Sequence, residues 1–168
     1  MTAAPRPAPA GALVIGYGSR LRSDDALGPE VAEALSRRRL DGVRTLAVHQ
    51  LLPELCEAIA DAERVVFVDA RVGGGHDDGT RIAIEPVRGG AVALSLLGHA
   101  ASPAGLCALT AALYHRTPTC WLVSATVPCL DLGAEMTPAG VTATDEVAMV
   151  VRCLLEATSH ARVEPGAA

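Results

Sequence analysis

Residues 12 to 28 constrain this chain more than any other stretch. The apolar run Ala12-Leu13-Val14-Ile15 breaks into Gly16-Tyr17-Gly18, and Ser19-Arg20-Leu21-Arg22-Ser23-Asp24-Asp25-Ala26-Leu27-Gly28 follows. A buried strand thus ends in a glycine-rich turn that delivers two adjacent acids to the start of a helix. Glycine lets such a turn take positive φ and lets another group approach the backbone closely. A helix N-terminus that holds phosphate is electropositive, whereas Asp24 and Asp25 make this one anionic. Carboxylates just past a strand suit a metal cation or acid–base chemistry better than a phosphate.

The rest of the chain alternates between the two periods. Apolar runs or alternations predict strands at Leu13 to Gly16, Val43 to Val48, Arg64 to Asp69, Thr80 to Val87 and Cys120 to Val127. Helical spacing predicts helices from Asp25 to about Arg38, with Leu27, Val31 and Leu35 inward, and over Pro53 to Ala62. Ser102-Pro103 and Thr137-Pro138 each read as an N-cap followed by proline at the first helical position, opening two more helices. The unbroken middle of Val65-Val66-Phe67-Val68 is that of a central strand buried on both faces. Thr80 to Val87 alternates instead, as an antiparallel or edge strand would. The pattern predicts a single-domain α/β fold, a mainly parallel sheet of about five strands with helices on both faces.

At 168 residues the chain is long enough to bury a core without disulfide or metal staples. The domain is expected over residues 11–160, between flexible tails at 1–10 and 161–168. Half of the residues are hydrophobic, but the aromatic ones are only Tyr17, Phe67, Tyr114 and Trp121, so the core must be aliphatic. A net charge of −5 argues against nucleic acid or an anionic membrane as partner. No apolar run approaches the roughly 18 residues that span a bilayer. Cys56, Cys107, Cys120, Cys129 and Cys153 form no C-x-x-C pair and mostly sit inside apolar patterns, which predicts reduced thiols and a cytoplasmic protein.

In sheets of this kind ligands bind outside the carboxyl ends of the strands, where strand order reverses. Three polar residues meet that condition: Asp25 after the first strand, Asp69 ending the third, and His99 before the Ser102 helix. Two carboxylates and an imidazole suit one borderline divalent ion with positions left open. Each also has a plainer reading, as an acid in a helix's first turn, a strand-end turn residue and a surface histidine.

The segment Gly16 to Gly28 resembles the signature of the nickel–iron hydrogenase maturation endopeptidases, in which a strand leads into Gly-x-Gly-Asn, a Leu, an acidic pair and Gly-x-Gly. The resemblance continues through His49-Gln50-Leu51-Leu52-Pro53-Glu54-Leu55, the strand Val65–Asp69, His99 ahead of a helix, and Gly133 to Pro138 before the last one. It implies an aspartyl-endopeptidase-like hydrolase that removes a C-terminal extension from a hydrogenase large-subunit precursor once nickel is inserted. It also implies that Asp25, Asp69 and His99 contact the metal and carry the catalysis, and that the nickel arrives with the substrate. Gly16, Gly18, Ser19, Asp24, His49 and Gln50 are then the candidates for shaping the turn and meeting the substrate tail. Ser19 stands where the pattern has Asn, Ala26 where Gly is frequent, and Val127 to Asp131 lacks a Glu often found there.

Two other functions compete. Gly16-x-Gly18 after a strand suggests nucleotide or small-molecule chemistry, but Leu21 occupies the place of the fingerprint's third glycine and no acid ends the second strand. A non-catalytic relative that checks nickel loading would carry the same ligands. Ser124 lacks a Gly-x-Ser-x-Gly context and gives no support to a serine hydrolase.

Overall fold

A computed structural model describes residues 9–73, 80–89 and 102–160. The strands β1 (Ala12–Tyr17), β2 (Val43–Val48), β3 (Arg64–Val72), β4 (Ile82–Val87) and β5 (Thr119–Val127) form one 5-stranded sheet in the order β2-β1-β3-β5-β4. Every neighbouring pair is parallel except β4 with β5. The helices are α1 (Leu27–Arg38), α2 (Leu55–Ala60), α3 (Pro103–Tyr114) and α4 (Pro138–His160). This is the single-domain α/β sheet that the alternation predicts. The tails at residues 1–8 and 161–168 lie outside the described residues, and no described helix is long and apolar enough to cross a membrane.

Each strand sorts its side chains by the period of two. Ala12, Val14, Val66, Val68, Val123 and Ala125 face Leu27, Val31 and Leu35 of α1 and Val147, Val151 and Leu155 of α4. Leu13, Ile15, Val65, Phe67 and Cys120 face Cys56 and Ile59 of α2 and Leu106 and Cys107 of α3. Burying one such aliphatic side chain is worth about 1.5–3 kcal/mol, so a sheet covered on both sides draws stability from every residue of its central strands. β4 takes the edge, where the missing N–H of Pro86 disrupts least.

Two expected helices begin differently. Residues Ser23–Ala26 form a 3-10 turn and α1 starts only at Leu27. The Asp24 N–H is drawn off to the Cys129 carbonyl at 3.2 Å while Asp25 N–H reaches back to Arg22 at 3.0 Å, so an α-helical ladder cannot start there. In α2 the flanks are tightened turns: Leu55 and Cys56 donate three residues back to Leu52 and Pro53, each at 3.0 Å. The two cap signals hold, with Ser102 Oγ accepting from Gly105 N–H at 3.1 Å and Thr137 Oγ1 from Gly140 N–H at 3.0 Å.

The sheet order makes β1 the switch strand. The chain leaves β1 through α1 to β2 on one side, then crosses by α2 to β3 on the other. The crevice at the carboxyl ends of β1 and β3 is therefore the expected ligand site. Its floor depends on a close backbone contact. A Cβ at Gly16 would overlap the Gly28 carbonyl oxygen, and one at Gly28 would overlap the backbone of Tyr17 and Val68. Only paired glycines let α1 lie this low across the ends of β1 and β3. Gly16→Ala is expected to cost about 1–3 kcal/mol or more by overpacking a site that cannot yield. A urea titration should show a lower midpoint at unchanged slope.

Candidate active site

Parallel pairing carries Gly16 alongside Val68 and Asp69 alongside Ser124, so Tyr17, Asp69 and Ser124 stand in a row near the carboxyl ends of β1, β3 and β5. Alternation puts them on the face that also holds Ile15 and Phe67. The Tyr17 hydroxyl donates a hydrogen bond to the Asp69 carboxylate. After β1 the backbone turns at Gly18, whose φ of 143° favours glycine. The following Ser19 N–H donates to Asp25 Oδ2 at 2.8 Å, which holds the second acid of the pair back toward the strand ends.

Asp69 feels the charge of Asp25. Burial pushes the Asp69 carboxyl up from its ordinary 3.8, the Tyr17 hydroxyl and the Ala70 backbone pull it down, Asp25 pushes it up again, and Arg71 eases it. Tyr17 is likewise pushed up, first by burial and then by the Asp69 charge. Two carboxylates sharing a half-buried crevice raise the free energy of the fully ionised state. A proton or a cation placed between them relieves it, so the donor chemistry fits a divalent ion held from one side.

Asp24, next in sequence to Asp25, does something else. It is fully buried, and Thr137 N–H donates to its Oδ1 at 2.7 Å, while Thr137 Oγ1 and Cys129 N–H donate to its Oδ2 at 3.0 and 3.2 Å. The carboxylate thus clamps the segment between β5 and α4 onto the turn after β1. Expected to shape the turn and to meet the substrate tail, Asp24 anchors the turn and is fully buried. Ser23 joins the clamp, with its Oγ donating to the Glu135 carbonyl at 2.8 Å and its φ held at 46°.

Gly18, Ser19 and His49 line one cleft of about 250 Å³ beside the turn, together with Arg20, Leu21 and Glu33. His49 and Gln50 are both exposed just beyond β2, and Gln50 is not part of that lining. Ser19 is buried, and its Oγ accepts from Leu21 N–H at 3.3 Å, supplying the turn contact expected of it in place of Asn. Gly16 lies under α1 and shapes the turn without facing the cleft. His99 lies outside the described residues. Among the described residues no three His, Cys, Asp or Glu side chains are grouped to hold a metal ion. The sequence reading missed Tyr17, although a signal existed: it stands two residues from Ile15, on the same face and at the strand end that carries the chemistry.

No family model matches the sequence, and no curated protein matches it. Solved structures do. A nickel–iron hydrogenase maturation protease, HycI, from Thermococcus kodakarensis superposes with a TM-score of 0.67 at 20% identity, covering 87% of this chain and 92% of its own. The hydrogenase-maturating endopeptidase HybD from E. coli gives 0.65 at 24% identity over 88% and 93%. A hydrogenase 2 maturation peptidase from a Thaumarchaeota archaeon gives 0.57 at 22% over 86% and 97%. The chain has the maturation-protease fold.

Two measurements check the site. Asp24→Ala strips a buried carboxylate from its donors and is expected to cost about 3–5 kcal/mol. Asp25→Asn, a part-exposed change with one backbone partner, should cost about 1 kcal/mol or less; urea midpoints of the two variants separate them. For Asp69 the folded pKa lies above the unfolded value, so the folded state binds the proton more tightly. Stability contributed by this group is therefore present below about pH 4 and is lost as pH rises through the raised folded value. Asp69→Asn, which still accepts from Tyr17, should raise the melting temperature at pH 7 and remove that part of the pH dependence.

Proposed function

We propose that this chain is a processing endopeptidase that removes the C-terminal extension of a nickel–iron hydrogenase large-subunit precursor after nickel insertion. The observation that carries the reading is a maturation-protease fold in which Asp69, near the end of β3, lies within electrostatic reach of Asp25 in the turn after β1. The fold alone would admit other chemistry, and the paired acids alone would admit a structural role.

In this reading nickel is cargo on the substrate. The Asp25 and Asp69 carboxylates, with the His99 imidazole, complete its coordination when the precursor docks. A carboxylate pair that repels itself is a poor resting state and a good receptor for a divalent ion brought by a partner. Ser19 N–H holds Asp25 and Tyr17 Oη holds Asp69, so both acids meet the ion already oriented. The substrate tail runs along the cleft lined by Gly18, Ser19 and His49, with exposed Gln50 beyond it. The nickel polarises the scissile carbonyl, or it fixes the tail while a carboxylate takes the proton from the attacking water. Either route needs the two acids side by side. We place the reaction in the cytoplasm, where the free thiols of the chain persist.

The test mixes the protein with its cognate large-subunit precursor, with and without nickel, and weighs the products by mass spectrometry. The expected result is loss of a C-terminal peptide from the nickel-loaded precursor alone. Asp25→Asn and Asp69→Asn should each slow the cleavage by about 100-fold or more. Nickel-dependent binding without cleavage would replace the protease with a module that checks nickel loading. Equal cleavage of both precursors would remove nickel from the account.

A further inference from the structure

On the same sheet face as the site row lies a pair of thiols that the proposed reaction does not use. Cys107, in the second turn of α3, and Cys120, near the start of β5, are 8% and 4% exposed, and their Sγ atoms lie 3.2 Å apart. The Cys107 thiol donates to the Cys120 sulfur, and the Cys120 thiol donates in turn to the Pro118 carbonyl at 3.4 Å. Cys56, the other buried thiol on this face, instead donates to the Leu106 carbonyl at 3.7 Å. Cys153 is exposed on α4, and Cys129 lies in the segment clamped by Asp24.

We propose that Cys107 and Cys120 form an oxidation site, which a peroxide converts to a disulfide joining α3 to β5. A disulfide needs its sulfurs about 2.05 Å apart, so closure asks the two side chains to approach by little more than 1 Å. The Cys107 sulfur, as thiolate, attacks one peroxide oxygen; the O–O bond breaks and, with one proton taken up, water leaves, giving a sulfenic acid. The Cys120 sulfur then attacks the Cys107 sulfur, the S–O bond breaks, and hydroxide departs with the Cys120 proton as a second water. The two sulfurs together lose two electrons and hydrogen peroxide gains them.

The neighbours assign the roles. When Cys107 is deprotonated the adjacent Cys120 thiol donates to it, which pulls Cys107 below the ordinary thiol value. The same contact pushes Cys120 up. Cys107 is therefore the attacking sulfur and Cys120 the resolving one. Cys120 precedes Ser124 of the site row by four residues along β5. The bond would fasten the cover of one sheet face while leaving Asp25 and Asp69 untouched, and it stands or falls independently of the proposed peptidase activity.

The experiment treats the intact protein with excess hydrogen peroxide, blocks remaining thiols with N-ethylmaleimide in denaturant, and maps the non-reduced digest by mass spectrometry. The expected product is a peptide pair linked through Cys107 and Cys120, lighter by two hydrogen atoms and separated by dithiothreitol. The oxidised protein should melt about 5–10 °C higher than the reduced protein. Cys107→Ala and Cys120→Ala should each abolish the linked peptide, and because the wild-type digest is read by itself, a variant that fails to fold leaves the test intact. Recovery of both residues as maleimide adducts would overturn the proposal. So would their recovery as sulfinic or sulfonic acids, or links confined to Cys56, Cys129 or Cys153.

Discussion

The buried carboxylate of Asp24 is the interaction on which the working end of this molecule depends. Three donors from residues more than a hundred positions away converge on it, two from Thr137 and one from Cys129. Charge buried without a counter-ion survives only when hydrogen bonds replace its lost water. The arrangement makes the turn after β1 and the entry to α4 mutually obligatory. Thr137 serves twice, donating to Asp24 and capping α4 through Gly140 N–H. With Asp24 drawn inward, Asp25 is left at the surface of the turn, where the Ser19 N–H catches it.

The crevice is thus built from unequal acids. One carboxylate spends its charge on holding the fold, and the next is free to face the strand ends. The close backbone contact of Gly16 with Gly28 brings that turn down onto β1, within electrostatic reach of Asp69. Asp69 in its turn is half-buried, hydrogen-bonded by Tyr17 and opposed by Asp25. Nearby, Arg71 eases the charge on Asp69 but also holds an ion pair with Glu85 of β4 at 3.1 Å, so its charge is shared with an acid outside the site. Asp25 and Asp69 thus leave this end of the crevice acidic, eased in part by Arg71.

Much of this could be read from the residues alone. Unbroken apolar runs identified the central strands, the alternation of Thr80 to Val87 pointed to an antiparallel or edge strand, found at Ile82–Val87, and both Ser/Thr-Pro pairs marked real helix starts. The strand-end rule selected Asp25, Asp69 and His99; Asp69 lies within electrostatic reach of Asp25, and His99 lies outside the described residues. The resemblance told Asp24 from Asp25, but the residues of the turn do not show what parts them, because two identical side chains in succession differ only in which way the turn sends them. That direction is set by Thr137 and Cys129, and no local pattern in residues 12–28 encodes them. The 3-10 start of the first helix was hidden for the same reason. Tyr17 was overlooked because a tyrosine within a glycine turn reads as spacing, until strand register sets it beside Asp69.

Under the proposed function, Asp25 and Asp69 supply oxygen ligands to a nickel ion carried by the substrate. The most direct measurement is nickel K-edge X-ray absorption on the nickel-loaded precursor, alone and in complex with this protein, using a slow variant to hold the complex before cleavage. The expected result is that complex formation adds light oxygen or nitrogen scatterers to the nickel shell, and that fewer are added when both aspartates are replaced by alanine. A nickel spectrum unchanged on binding, in a complex that still goes on to cleave, would contradict it.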